Sequence, residues 1–174
     1  SYRAQTFNNY RTELFSFFTD ISICPDLIEQ HLDLSTLLNK SFSRLSGGEK
    51  QRVHLARNLM QVWPMVEQGE ALILLDEPLQ QMDIKHQFET LRLFAELQSL
   101  GNLLVMSHHD LNHAMLYASH ACLLKAGKLI QAGPQQQVLT QTNLEQIFEQ
   151  CFTQIIDKTT SKIYLISSPA SRQM

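Results

Sequence analysis

Two short aliphatic runs, Leu72–Leu75 and Leu103–Met106, constrain the fold most. Neither alternates apolar with polar residues, the pattern of a strand buried on both faces of a sheet. Between them, Ile84–Leu100 reads as a helix closed by Gly101, a residue suited to the turn after a helix C-terminus. Strand, helix, strand in that order requires a crossover connection. The two runs are therefore expected to be parallel strands of an α/β sheet flanked by helices. The first run ends in Asp76-Glu77-Pro78, where a proline that cannot donate to a ladder stops the strand. The second ends in Ser107-His108-His109-Asp110.

Upstream lies Leu45-Ser46-Gly47-Gly48-Glu49, followed by Lys50-Gln51-Arg52. A Ser-Gly-Gly turn opening a helix can grip an anion. The glycines let the backbone bend and approach closely, and unpaired N–H groups sit at the positive end of the helix dipole. Val53, Leu55, Ala56, Leu59 and Met60 mark the buried face of that helix, which is expected to end near Trp63-Pro64. Val66–Glu70 reads as a polar linker. Residues 8–38 read as a helical region broken and restarted at Pro25-Asp26, with 39–44 as a loop. Downstream, His109–Ala118 reads as a helix, and Ala121–Lys125 with Lys128–Ala132 as a hairpin around Ala126-Gly127. Gln135–Leu139 and Asn143–Gln150 read as short helices. Ile155-Ile156 and Ile163–Ile166 read as a terminal strand pair.

Composition excludes several classes. A net charge of -3 argues against a dedicated nucleic-acid binder. Cys24, Cys122 and Cys151 are widely spaced, form no C-x-x-C pair, and are expected to be buried small hydrophobes in a reducing compartment. No apolar run approaches the roughly 20 residues that span a bilayer, and no signal peptide is read. The expectation is a soluble chain that docks on a membrane protein.

The ordered trio of glycine turn, Asp-Glu-ended strand and His-ended strand resembles the nucleotide-binding domain of ABC-type ATPases. The resemblance covers nearly the whole chain. It implies a P-loop NTPase-type parallel sheet flanked by helices, with an α-helical subdomain at about 8–44. The glycine-turn helix, the strands and the C-terminal part would occupy about 45–174. One family element is missing. The six glycines cannot supply G-x-x-x-x-G-K-[ST]: in the only Gly-Lys pair, Gly127-Lys128, Cys122 and Leu129 replace the required glycine and hydroxyl. The chain is accordingly expected to be the C-terminal part of such a domain, inactive by itself.

The resemblance also implies roles. Asp76 and Glu77 are neighbours on a strand and point to opposite sides, which suits two jobs. Asp76 would hold Mg²⁺, and Glu77 would orient or activate the water attacking the γ-phosphate of ATP. His109 would hydrogen-bond the γ-phosphate, with His108 as its competitor. A metal pair of His109 and His113 is the poorer alternative. Gln5 would match the family's glutamine at the Mg²⁺ and nucleotide. Asp83 would lie at the dimer seam, with helix N-capping as its plain structural role. Ser46, Gly47, Gly48 and Glu49 would contact ATP bound to the opposite subunit of a homodimer.

Within the family, the Trp63–Glu70 segment matches an insertion of vitamin B12, haem and siderophore importer subunits. The run Val105–His113, then Cys122–Lys128, is most similar to the vitamin B12 import subunits. The implied partners are membrane permease subunits and a substrate-binding protein, with no nucleic acid, at the cytoplasmic side of a bacterial inner membrane. The alternatives are a haem or ferric-siderophore importer subunit, an ABC ATPase outside transport, and a non-catalytic binding module.

Overall fold

The two aliphatic runs are parallel strands, as their order requires. The structure, a computed structural model, describes residues 25–168. Those residues belong to two compact units that part between Ser107 and His108. Gln5 and the aromatic-rich segment before Pro25 lie outside the described residues.

In the first unit, helix α1 (Asp26–Leu32) starts after Pro25 and ends on Asp33 in the left-handed conformation, φ 48°. Single 3₁₀ turns follow at Ser35–Leu37 and Phe42–Arg44, the second inside the segment expected to be a plain loop. Helix α2 (Gly47–Gln61) starts directly after Ser46, which caps it. Helix α3 (Trp63–Glu67) takes in Val66 and Glu67 of the expected polar linker. Pro64 stands in its first turn, where a missing N–H costs nothing, so proline ends one helix and opens the next. Val66 then becomes fully buried, which a linker residue would not be.

Strand β1 (Leu72–Leu75), helix α4 (Ile84–Ser99) and strand β2 (Leu103–Met106) complete the unit. The register pairs Leu72 with Leu103 and Leu75 with Met106. Helix α1 packs on α2 and α4, and Ile28, Leu32, Leu59, Leu91, Leu93 and Leu97 are almost completely buried. Each large aliphatic side chain so buried contributes about 1.5–3 kcal/mol. Buried Asn102 ties three elements together: its Oδ1 accepts from Ala71 N–H, and its Nδ2 donates to the carbonyls of Val66 and Leu97.

The strands are not buried on both faces among the described residues. Ile73 is covered, while Leu72, Leu74, Leu103 and Val105 are 62, 69, 61 and 51 % exposed. An unbroken apolar run permits two covered faces but does not by itself supply the second layer.

In the second unit, helix α5 (Leu111–Tyr117) starts after Asp110 rather than at His109. The hairpin of β3 (His120–Lys125) and β4 (Lys128–Pro134) turns at Ala126-Gly127, both at positive φ, as a two-residue hairpin turn demands. Helices α6 (Gln135–Val138) and α7 (Gln141–Phe148) follow. The antiparallel pair of β5 (Cys151–Ile156) and β6 (Ile163–Ser168) is longer than the isoleucines alone suggest. Leu123, Val138, Leu139, Leu144, Ile147, Phe152 and Leu165 form one core. Cys122 and Cys151 are exposed, contrary to expectation. Strand alternation turns their neighbours Leu123 and Phe152 inward, so the cysteines point out.

Candidate functional site

The parallel ladder continues one residue past β2: Ser107 N–H donates to Leu75 C=O at 3.0 Å. This sets Ser107 beside the residues that follow β1. Its hydroxyl donates to Asp76 Oδ1 at 2.5 Å and accepts from Glu77 N–H at 2.9 Å. Asp76 is exposed and Glu77 half-buried. Glu77 has φ 41°, a left-handed conformation uncommon for a residue with a side chain. The chain then turns tightly, with Gln80 N–H to Glu77 C=O and Met82 N–H to Leu79 C=O, and Gln81 also at positive φ.

Helix α2 reaches this turn with its first residues. A Cβ built on Gly48 would stand 2.5 Å from the Gln81 carbonyl oxygen and 3.2 Å from Met82 Cα. One on Gly47 would meet mainly the Gln81 side chain, at 2.2 Å. Neither glycine has positive φ among the described residues. Gly48 is therefore required for close approach to backbone, and neither glycine for bending the chain. Gln51 Nε2 adds a hydrogen bond to the Pro78 carbonyl at 3.3 Å.

Ser46 and Glu49 form a capping box. Ser46 Oγ accepts from Glu49 N–H at 3.3 Å, and Glu49 Oε2 accepts from Ser46 N–H at 2.7 Å. Lys40 Nζ donates to Glu49 Oε1 at 2.6 Å. That bond first, and the Ser46 N–H second, lower the Glu49 carboxyl to a pKa of about 2.

Asp83 caps α4 by accepting from His86 N–H at 2.9 Å. The His86 ring also lies on this carboxylate, Nδ1 to Oδ2 at 2.8 Å. The backbone bond first, then the ring, hold Asp83 below the usual carboxylate range. On its other side, His86 Nε2 lies 3.7 Å from Asp33 Oδ2. Buried Arg52 donates to the carbonyls of Leu32 and Asp33 at 2.5 and 3.2 Å. A polar chain thus runs from Asp83 through His86 and Asp33 to Arg52 on α2.

In the second unit, Asp110 caps α5 by accepting from Asn112 and His113 N–H. His108 Nε2 lies 3.0 Å from His113 Nδ1, with nearly parallel rings at 7°. His109 sits beside His108, ring centroids 5.4 Å apart. The histidine placed against His113 is thus His108, not the His109 of the poorer metal-pair alternative. Among the described residues no three His, Cys, Asp or Glu side chains are grouped to hold a metal ion.

The first unit brings Asp76 and Glu77 to one strand end, and Ser46, Gly47, Gly48, Glu49 and Asp83 around the following turn. Ser107, His86, Arg52, Asp33 and Lys40 complete this arrangement and were not singled out from sequence. Ser107 was visible as a hydroxyl directly after an apolar strand, and His86 as a ring three residues beyond a capping carboxylate. Arg52 carried no such signal.

No family model matches the chain. It is 44% identical over 128 residues to the vitamin B12 import ATP-binding protein BtuD of Citrobacter koseri, covering 74% of this chain and 51% of that protein. With the Escherichia coli O45:K1 protein of the same name the figures are 40% over 124 residues, 71% and 50%. The chain thus spans about half the length of the curated relatives it matches. Among solved structures, one described as a metal-chelate type ABC transporter in an inward-facing conformation aligns with a TM-score of 0.64 and 25% identity, over 84% of this chain and 57% of that one. A dimeric ATP-binding cassette in a post-hydrolysis state with ADP and Pi aligns at 0.52 and 26% identity, over 62% and 44%. Over the residues that align, the chain is similar in sequence and in fold to ABC-type ATPase domains. Both of these curated relatives are vitamin B12 import ATP-binding proteins.

Proposed function

We propose that the intact protein is the ATP-binding subunit of an ABC importer and drives uptake by hydrolysing ATP. The observation that carries this is the strand-end pair Asp76-Glu77, with a glycine-started, Ser-capped helix closing on the same turn. Glu77 orients or activates the water that attacks the γ-phosphate. His109 donates to that phosphate. Asp83 lies at the seam of a homodimer. Ser46, Gly47, Gly48 and Glu49 contact the nucleotide of the opposite subunit, helped by the N–H groups at the start of α2. Gln5 joins the site from outside the described residues.

The carboxylate oxygens of Asp76 are hard donors that suit Mg²⁺, which is commonly held by one or two carboxylates while substrate phosphates supply further ligands. Asp76 would hold the ion, directly or through water, and the ion would offset charge on the β- and γ-phosphates.

Cobalamin is the proposed cargo, supported by the names of the relatives at 40–44% identity. The metal-chelate transporter of similar fold favours a haem or ferric-siderophore importer as second reading. Permease subunits and a substrate-binding protein complete the assembly, at the cytoplasmic face of a bacterial inner membrane. Among the described residues no helix is long and apolar enough to cross a membrane.

Glu77→Gln in the intact protein is expected to preserve ATP binding while cutting turnover by about two orders of magnitude or more. It should also make the ATP-bound dimer long-lived on gel filtration. Near-normal hydrolysis would remove Glu77 from the catalytic role. Cobalamin-dependent, ATP-driven uptake by vesicles carrying the co-purified permease separates the two cargo readings.

A further inference from the structure

We propose that Ser107 is a positioning residue for the Asp76–Glu77 pair, one hydroxyl fixing both the metal-holding carboxylate and the backbone of the catalytic glutamate. The proposal rests on the ATPase reading above. The ladder bond from Ser107 N–H to Leu75 C=O continues the parallel register and delivers the serine to the end of β1. A hydroxyl has one hydrogen and two lone pairs, so it can donate once and still accept. Ser107 Oγ gives its hydrogen to Asp76 Oδ1 at 2.5 Å, the length of a charge-assisted O–H···O⁻ bond. It accepts the Glu77 N–H at 2.9 Å.

Both contacts meet a need. Asp76 is exposed, and an exposed carboxylate turns readily about its last bond. The serine restricts that rotation and presents the carboxylate in one orientation. Glu77 is held at φ 41°, which a side-chain-bearing residue keeps only when its surroundings enforce it. The hydrogen bond from its backbone N–H to Ser107 Oγ is one such restraint, placed on the residue whose carboxylate must meet water. Because Ser107 is itself exposed, removing its hydroxyl leaves no buried void.

The test compares Ser107→Ala and Ser107→Thr in the intact protein, with Glu77→Gln as the inactive reference. Without nucleotide or metal, hydrogen exchange at the Glu77 amide should quicken about tenfold or more in Ser107→Ala and stay near wild type in Ser107→Thr. In ATPase assays, the Mg²⁺ concentration for half-activation should rise about tenfold in Ser107→Ala, the scale expected when a ligand loses its supporting partner. Ser107→Thr should restore it, and KM for ATP at saturating Mg²⁺ should stay unchanged in both variants. Unchanged amide exchange in Ser107→Ala overturns the proposal. So does faster exchange with an unmoved Mg²⁺ midpoint, which would leave the hydroxyl as a strand-end cap only. A wild-type protein that turns over no ATP at any Mg²⁺ concentration overturns the ATPase reading and the metal half of the proposal. The backbone half is then decided by the exchange rates alone.

Discussion

Glu49 joins three partners of different kinds: a lysine side chain, a backbone N–H and a serine hydroxyl. The lysine first and the Ser46 backbone N–H second favour the ionised carboxylate, which is why its pKa falls from an ordinary 4.5 to about 2. A group with a depressed folded pKa stabilises the fold above its unfolded value and loses that contribution as pH falls through the folded one. The capping box should therefore be at full strength at neutral pH and weaken between about pH 4.5 and about pH 2. Urea unfolding of the wild type and Glu49→Gln across this range is the measurement. The wild type should be the more stable at pH 7, with the gap closing on acidification. A gap that stays constant down to pH 3 would mean that the box works without the charge.

At the scale of elements, the contact between α2 and the turn after β1 decides whether the glycine-turn helix and the carboxylate pair share one frame. Gly48 faces backbone there, whereas Gly47 faces the end of a flexible side chain. The two glycines should consequently differ in tolerance. Gly48→Ala is expected to destabilise by about 1–3 kcal/mol, the usual cost of overpacking. Gly47→Ala should cost well under that, because the Gln81 side chain can swing away. Thermal or denaturant unfolding of the two variants checks the ranking, and equal losses would refute the placement of Gly48 against the Gln81 carbonyl. The Asp83–His86–Asp33–Arg52 chain works at the same scale, tying the start of α4 to the end of α1 and to α2.

For the whole molecule, the decisive quantity is phosphate affinity. The sequence holds no G-x-x-x-x-G-K-[ST], the loop whose amides and lysine cradle the β- and γ-phosphates. The helix start at Ser46–Glu49 is proposed to serve the nucleotide of a second subunit, so a single copy should not replace that cradle. Calorimetric titration of this chain with ATP and Mg²⁺ is expected to show no saturable micromolar binding. Such binding, or turnover abolished by Glu77→Gln, would reveal a phosphate site elsewhere in the chain.

The parallel strand pair, its bounds and its crossover helix were legible because continuous aliphatic runs and a closing glycine report local periodicity. The hairpin at Ala126-Gly127 was legible for the same reason: its turn conformation is a property of adjacent residues. Asp76, Glu77 and the Ser46–Glu49 turn could be picked out as a motif. Tertiary structure alone decided that Gly48 is small for the sake of the Gln81 backbone, that Ser107 reaches the two residues after β1, and that Arg52 secures the end of α1. It likewise turned Cys122 and Cys151 outward and left one face of β1 and β2 uncovered among the described residues. Chain-local signals fix dihedral preference and the pattern of apolar faces, whereas close approach and hydroxyl-to-carboxylate contacts join residues far apart in sequence and exist only once the elements have packed.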